Sequence, residues 1–206
     1  MEGDSNSPAT EPDFPVASGE FPVDLYITKR PIHFGPSYLT VTDFNGDPVF
    51  TVHHKFRSKT RLLLDSSKNP ILSIHENGLL CEAFRVIDGE KRDKIFSVKR
   101  SEFSRFKTEL EVFIEPENIY GNYKIDNIGD DTIYYDNQGE EICDLVVKGS
   151  PYRRSCSVYR GCSIVAQMCP LHRLRRIVVG RFKFRLTLFP GVDQALILAL
   201  IVIFLK

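Results

Sequence analysis

The C-terminal end of the chain constrains the fold most, because the eleven residues from Ala195 to Leu205 carry no polar side chain and only Lys206 follows. Gly191 and Asp193 precede this segment, and Asp193 is a suitable N-cap residue for an α-helix. Such a helix would be about 16 Å long, roughly half of the ~30 Å hydrocarbon core of a bilayer. A helix that is apolar on every face must be buried. We therefore predict that the rest of the same chain encloses this helix.

The remainder of the sequence is typical of short antiparallel strands separated by turns. Residues 41–52, 62–74 and 133–145 repeat one pattern, in which an aspartate ends a strand and an apolar pair opens the next. Further strand-like runs cover residues 23–29, 82–87, 94–99, 110–114, 123–128, 155–159, 163–168 and 178–188. This spacing suits a meandering all-β barrel or sandwich. Closure would remove exposed edges and leave a lumen for the helix, so we predict a mainly β, closed antiparallel barrel of about 12 strands around a central C-terminal hydrophobic helix.

The first twenty residues differ in composition from the rest of the chain. Residues 1–20 contain five acidic residues, several Ser and Pro, and no Lys or Arg, so we expect a disordered acidic arm. They lack the basic start and apolar stretch of a secretory signal peptide. We expect residues 21–206 to form one domain, long enough for a sizeable core. The whole chain has 27 basic and 27 acidic residues, which leaves 27 against 22, or about +5, for the domain.

The sequence offers little catalytic or metal-binding chemistry. Its five cysteines, without a signal peptide, indicate free thiols in a reducing compartment. Cys156, Cys162, Cys169 and His172 do not have the spacing of a zinc site. Residues 43–47 begin like an EF-hand loop, but Pro48 stands where that loop requires glycine, which favours a hairpin turn. The chain has no phosphate-binding loop or nucleophile elbow, so we expect no catalytic residue, no metal and no cofactor.

Several segments resemble one known family. The segments are residues 21–25 (FPVDL), the repeated hairpins, residues 107–114 (KTELEVFI), residues 122–123 (NY) and residues 189–197 (FPGVDQALI). Together they are similar to plant LURP-one-related proteins, which belong with the tubby C-terminal domain and the phospholipid scramblases. The resemblance spans residues 21–205 and implies a barrel of about twelve strands around a central hydrophobic helix, in agreement with the prediction above. The chain departs from the family pattern in having no Trp and in ending on a single Lys.

Basic residues provide the sharper functional hypothesis. Lys55, Arg57, Lys59 and Arg61 recur at period two, which in an extended strand places all four cations on one face. A hairpin end exposed to water explains this pattern as well as an anion-binding site does. The resemblance to tubby domains, which hold a phosphoinositide headgroup with Lys and Arg, implies that Lys55, Arg57 and Lys59 occupy a comparable place. Each cation near an anionic leaflet contributes about 1 kcal/mol, so the four together would matter.

Other basic segments are secondary candidates. Residues 29–30 and 173–176 also carry cations that could take part in an anion site. Arg181, Lys183 and Arg185 alternate with Phe182, Phe184 and Leu186, which predicts a strand with one solvated face and one core face. A net charge of about +5 without a basic helix disfavours sequence-specific nucleic-acid binding.

Two classes of function remain in contention, with an enzyme as a third and weaker one. The first is a non-enzymatic binding or regulatory module for an anionic phospholipid, a phosphoinositide or a protein partner. The resemblance implies a tether at the inner face of the plasma membrane, a cytoplasmic or nuclear location, and a role in plant defence or stress responses. The alternative is a scramblase-like membrane protein that is anchored by its C-terminal hydrophobic segment.

Overall fold

The computed structural model describes residues 21–30, 37–54, 59–103, 107–115, 143–150, 152–171 and 182–205. Within them the chain forms twelve strands and one helix, α1 (Gln194–Phe204). The strands are β1 (Val23–Lys29), β2 (Ser37–Thr42), β3 (Pro48–His54), β4 (Thr60–Leu64), β5 (Pro70–Asn77), β6 (Leu80–Ile87), β7 (Glu90–Phe103), β8 (Thr108–Ile114), β9 (Leu145–Ser150), β10 (Ser155–Arg160), β11 (Ser163–Pro170) and β12 (Phe182–Leu188).

The twelve strands close into a single antiparallel barrel. Each strand pairs with its neighbours in sequence, and β1 also pairs with β12, from Val23 opposite Leu188 to Lys29 opposite Phe182. Every strand therefore has two partners and the sheet has no open edge, which confirms the predicted fold class. The predicted acidic arm (1–20) and most of the third repeated hairpin (133–145) lie outside the described residues.

Helix α1 lies inside the barrel, as predicted. The Asp193 carboxylate accepts hydrogen bonds from the backbone N–H groups of Ala195 (2.7 Å) and Leu196 (3.0 Å), so Asp193 is the N-cap. Ala195 and all residues of the segment 197–205 are buried in the same cluster as the inward side chains of the strands. No helix among the described residues has the length and apolar character required to cross a bilayer. A membrane anchor would require α1 to leave this core.

The repeated aspartates are turn residues. The Asp43 carboxylate accepts hydrogen bonds from the backbone N–H groups of Asn45, Gly46 and Asp47, each at 2.9 Å. Asp65 accepts one from the Asn69 N–H at 2.7 Å in the next hairpin. These side chains replace backbone partners within the turn, which is why aspartate recurs at this position. In the part of the chain that the structure describes, no group of three metal-ligating residues is present.

The barrel has two distinct ends, which we name by the direction of α1. At one end β1 finishes at Lys29, β12 begins at Phe182, and the Lys29 ammonium donates a hydrogen bond to the Leu205 carbonyl at the end of α1. We call this end the C-mouth and the end at which α1 begins the N-mouth. Because consecutive strands are antiparallel, odd-numbered strands end at the C-mouth and even-numbered strands begin there.

Candidate functional site

Charged side chains lie on the inner face of the barrel at the C-mouth, where apolar residues would be expected. They stand two positions from a buried apolar residue of the same strand: Lys29 after Ile27, Arg61 before Leu63, Glu76 after Ile74, and Arg100 after Val98. Side chains two residues apart in a strand point to the same face of the sheet. The strands thus continue their core-facing rows into an outer layer of charge at this end.

Lys29 joins this layer to the helix. Its ammonium donates to the carbonyl oxygen of Leu205, the C-cap residue of α1, where a cation is favoured by the partial negative charge of the helix end. Burial lowers the pKa of Lys29, and the positive charges of Arg154 and Arg61 lower it further. The guanidinium of Arg154 lies over the Phe182 ring, 3.6 Å from its centroid. Three cations from different parts of the barrel therefore act on one another at the C-mouth.

Arg61 is buried, which differs from the exposed position predicted from the period-two pattern. Only 9% of the residue is accessible, and its guanidinium forms an ion pair with Glu76 (Nη2 to Oε2, 3.4 Å). The reason is that Arg61 shares its face of β4 with Leu63, and this face contacts the core. Lys59 precedes the strand and is exposed. Lys55 and Arg57 lie outside the described residues, so their part in the predicted site stays a prediction.

Arg100 completes the charged layer on the other side of Glu76. Cys81 on β6 lies opposite Glu76 on β5 and is buried. Burial raises the pKa of the Cys81 thiol, while the positive charges of Arg100 and Arg61 act in the opposite direction. A thiol held in its protonated form is a poor nucleophile. Burial therefore disfavours the nucleophilic thiolate form of Cys81.

A buried hydroxyl adds a hydrogen-bond donor near this layer. Thr108 begins β8 at the C-mouth on the same face as the buried Leu110, and only 2% of it is accessible. Its Oγ1 makes no hydrogen bond within the described parts of the chain. A buried hydroxyl without a partner is unfavourable by about 1–3 kcal/mol. Its neighbour across the sheet is Gly149, where an added Cβ would come within 2.5 Å of the Cys156 Cβ.

The sum of these charges makes the C-mouth electropositive. Its inner layer holds Lys29, Arg61 and Arg100, the exposed Arg154 lies beside them, and Glu76 is the carboxylate of this layer among the described side chains. The end of α1 contributes only about half a negative charge. Further cations, Arg30, Lys59, Lys107 and Arg153, are exposed at the rim of the same mouth. Such an arrangement attracts anions, and the planar guanidinium groups suit phosphate or carboxylate oxygens in particular.

The N-mouth has the opposite character. Its turns carry Asp43, Asp47, Asp65, Asp88 and Asp144. Asp193 lies at the start of α1, and burial raises the pKa of its carboxyl group, against the lowering effect of the hydrogen bonds from Leu196 and Ala195 and of the positive charge of Arg85. The near-zero net charge of the chain therefore conceals a separation of charge along the barrel axis.

The structure describes some of the secondary basic segments and not others. On β12, Lys183 and Arg185 are exposed while Phe184 and Leu186 are buried, which confirms a strand with one solvated and one core face. Phe182 is exposed at the rim instead of lying in the core, because the strand begins there. Residues 173–176 and Arg181 lie outside the described residues.

The sequence alone did not reveal Arg100, Arg154 and Glu76 as members of a common site. A signal was present, since each lies two residues from a core position at a strand end that the alternating topology brings to one mouth. The pattern within any one strand does not reveal it. Only the closure of the barrel turns cations separated by more than a hundred residues into neighbours.

Comparison with known proteins gives matches to one family over nearly the whole chain. The sequence model of the LURP-one-related family matches residues 23–205. Protein LURP-one-related 7 of Arabidopsis thaliana is 35% identical over 206 residues, covering 98% of each chain. Protein LURP-one-related 15 of the same plant is 33% identical over 202 residues, covering 92% of this chain and 82% of the relative. An X-ray structure of an Arabidopsis thaliana protein superposes with a TM-score of 0.58 at 32% identity, covering 91% of this chain and 92% of that one.

Proposed function

This chain belongs to the LURP-one-related family, and from that premise we propose that it is a non-enzymatic module that binds a phosphate-bearing anionic ligand at the C-mouth. The ligand we propose is the headgroup of an anionic phospholipid, with phosphoinositides as the preferred class. One observation carries the proposal: three inward cations and the exposed Arg154 lie with one carboxylate, Glu76, among the described side chains at one mouth of the barrel.

The chemistry of the layer supports a phosphorylated ligand. Arginine offers two parallel N–H donors that match two oxygens of one phosphate group, and lysine acts as a point charge. Arg61 and Arg100 lie on either side of Cys81, whereas Lys29 and Arg154 lie by the end of α1. A ligand with several phosphate groups can contact both pairs at once. This favours a multiply phosphorylated headgroup over one with a single phosphate.

A cellular location follows as part of the proposal. Anionic lipids give the cytoplasmic leaflet of the plasma membrane a negative surface potential, which attracts clustered Lys and Arg at about 1 kcal/mol for each cation. We place the module at the inner face of the plasma membrane and propose that its role there is regulatory. The enclosure of α1 in the barrel core supports this peripheral mode over a C-terminal membrane anchor.

Vesicle sedimentation tests the proposal. Wild-type protein should bind phosphatidylcholine vesicles that contain a phosphoinositide, and should ignore phosphatidylcholine alone. Binding should weaken between low salt and about 0.15 M salt, because the Debye length contracts to ~8 Å. The combined variant Lys59→Gln, Lys107→Gln and Arg153→Gln should bind at least about tenfold less, since it removes three rim cations at ~1 kcal/mol each.

A matched control variant distinguishes the effect of where the cations lie from the effect of the net charge of the protein. Lys68, Arg92 and Arg160 are exposed cations at the N-mouth end, and changing all three to Gln alters the net charge by the same amount. This control should keep vesicle binding near the wild-type level. The proposal is wrong if wild-type protein ignores the phosphoinositide vesicles at low salt, or if both triple variants lose binding equally.

Titration with a soluble headgroup shows whether the site prefers a phosphoinositide headgroup or binds any phosphate. Soluble inositol trisphosphate should bind and should compete with the vesicles, whereas inorganic phosphate should bind far more weakly, because it cannot contact both cation pairs. Arg154→Gln should reduce the affinity for the trisphosphate. Equal affinities for the trisphosphate and inorganic phosphate would instead indicate a general anion site without lipid preference.

A further inference from the structure

Large apolar side chains are exposed at the same mouth as the cations. Among the described residues, those at the C-mouth are Leu79, Leu80, Tyr152, Leu171 and Phe182. Leu79 is 67% exposed and Tyr152 is 72% exposed, each at the tip of a tight turn. Leu79 follows Gly78, whose positive φ of 64° permits the sharp turn between β5 and β6. Holding large apolar groups in water at turn tips is unfavourable unless a partner covers them.

Apolar side chains and cations are interspersed in the described part of the rim. The strand order of the barrel places the turn with Tyr152 between β9 and β10, then Lys107 between β7 and β8, then Leu79 between β5 and β6, then Lys59 between β3 and β4. Leu171 follows β11, on the other side of Tyr152. In the described part of the rim, apolar and basic groups are thus spread around the opening instead of forming one groove.

The breadth of this ring indicates the shape of its partner. Twelve strands about 4.8 Å apart and tilted by about 40° form a barrel roughly 24 Å across. A single headgroup is too small to span such a ring, and an extended peptide of about eight residues would cross it but cover only the turn tips along one line. A flat surface can cover them all at once.

We infer that the rim of the C-mouth docks flat on an anionic lipid bilayer, with Leu79 and Tyr152 entering the interfacial layer and the rim cations contacting lipid phosphates. This inference rests on the proposed function and adds an orientation and an apolar contribution to it. Tyrosine is suited to the membrane interface, because its ring is apolar and its hydroxyl remains hydrated. Lysine and arginine beside inserted apolar groups reach the headgroups with their charged ends. The α1 N-terminus and the acidic N-mouth would then face away from the membrane.

Tryptophan substitution reports insertion directly, because the chain contains no Trp. Leu79→Trp and Tyr152→Trp place one indole each at a rim position that is already exposed. On vesicles of phosphatidylcholine with a phosphoinositide, both emissions should shift to the blue, and brominated lipid should quench them. Phe44→Trp is the matched control, because Phe44 is 78% exposed at a turn tip of the N-mouth. Its emission should not change on the same vesicles.

Removal of the apolar tips gives a second readout. The pair Leu79→Ser and Tyr152→Ser should reduce vesicle partitioning about tenfold or more, since burial of one such side chain corresponds to at least about a tenfold change in partitioning. The loss should persist at high salt, unlike the loss caused by removing rim cations. Affinity for soluble inositol trisphosphate should stay unchanged. The pair Phe44→Ser and Ile164→Ser, at the N-mouth, should partition like the wild type.

The outcomes separate the two proposals. If soluble trisphosphate binds but the indoles at positions 79 and 152 remain in water, the docking inference is wrong and the proposed function stands. If the protein binds neither the soluble headgroup nor the vesicles, both are wrong. Insertion of the indole of Phe44→Trp would overturn the inferred orientation.

Discussion

At the scale of single residues, charged side chains at the C-mouth are partly buried because they continue the core-facing rows of the strands. The two side chains of the Arg61–Glu76 ion pair are buried to the same extent, with 10% of each side chain exposed. Removing one partner of such a pair leaves a charge with little water around it, which is usually worse than removing both. Each charged residue of this layer should therefore affect stability as well as the proposed ligand binding.

Arg61→Met should lower the free energy of unfolding by about 2–4 kcal/mol, because the Glu76 carboxylate would lose its buried partner. The double variant Arg61→Met with Glu76→Leu should recover a part of this loss. Denaturation in urea at neutral pH measures both. Arg92→Met is the control, since the exposed Arg92–Glu90 pair should contribute less than about 1 kcal/mol. Equal losses for Arg61→Met and Arg92→Met would contradict the assigned burial.

Gly149→Ala should destabilise the barrel by about 1–3 kcal/mol through overpacking. The added Cβ would meet the Ser155 carbonyl oxygen at 2.4 Å and the Cys156 Cα at 2.8 Å, so the backbone of β9 or β10 would have to move. A thermal melt followed by circular dichroism would show the shift. The Cβ of Gly78→Ala would lie in open space. This variant should be destabilised only by the ~1 kcal/mol that a left-handed backbone conformation costs a residue with a Cβ. A larger loss at Gly78 than at Gly149 would refute this packing argument.

At the scale of elements, helix α1 and the strands depend on each other. The helix has no polar face, so only the barrel makes it soluble, and the lumen of a twelve-stranded barrel requires something to fill it. Capping fixes the helix at both ends, through the Asp193 carboxylate at the N-mouth and the Lys29 ammonium at the C-mouth. Two predictions concern this element.

A chain that ends after Gly191 should fail to fold. It lacks the nine buried residues of α1, whose apolar burial is of order 15 kcal/mol, which exceeds the net stability of many domains, about 5–15 kcal/mol. Expression should give insoluble protein or soluble protein without a cooperative melt. A soluble truncated chain with a sharp transition would show that the helix is an appendage of the barrel.

Asp193→Ala should lower stability by about 0.5–2 kcal/mol through loss of the cap, whereas Asp193→Asn should preserve it. Burial raises the folded-state pKa of Asp193 above its unfolded value near ~3.9, so the folded state binds the proton more tightly. The contribution of this carboxyl group to stability is therefore lost as pH rises from the unfolded pKa through the folded one. An asparagine does not titrate, so the Asp193→Asn variant does not lose stability in this way. The free energy of unfolding of the variant, relative to that of the wild type, should therefore increase between acidic and neutral pH. A pH-independent difference in urea denaturation would contradict the assignment.

At the scale of the whole molecule, the barrel is an electrostatic dipole. Cations collect at the C-mouth and carboxylates at the N-mouth turns, although the chain has 27 residues of each sign. The orientation of α1 agrees with this, because its partly negative end lies among the cations. An anionic surface would therefore be met by one end of the molecule.

Association with anionic vesicles should depend on this polarity more than on net charge. We expect the association rate to fall steeply as salt increases, because long-range steering is screened beyond about 8–10 Å at physiological ionic strength. Stopped-flow mixing at several salt concentrations measures this dependence. The C-mouth triple variant should show a flatter dependence and the N-mouth triple variant an unchanged one. Identical slopes for the two variants would mean that the dipole does not guide association.

Local sequence patterns were enough to predict the architecture of this protein. An apolar segment with Asp193 as its cap had to be a buried helix, and alternating strands with aspartate turns had to enclose it, because both signals act over a few residues. Tertiary structure alone decided the candidate site. Period two predicted one face for Arg61 and its neighbouring cations, but only the packing of Leu63 in the core showed that Arg61 itself points inward. The site depends on which strand ends meet at one mouth, and barrel closure, a long-range property, decides that.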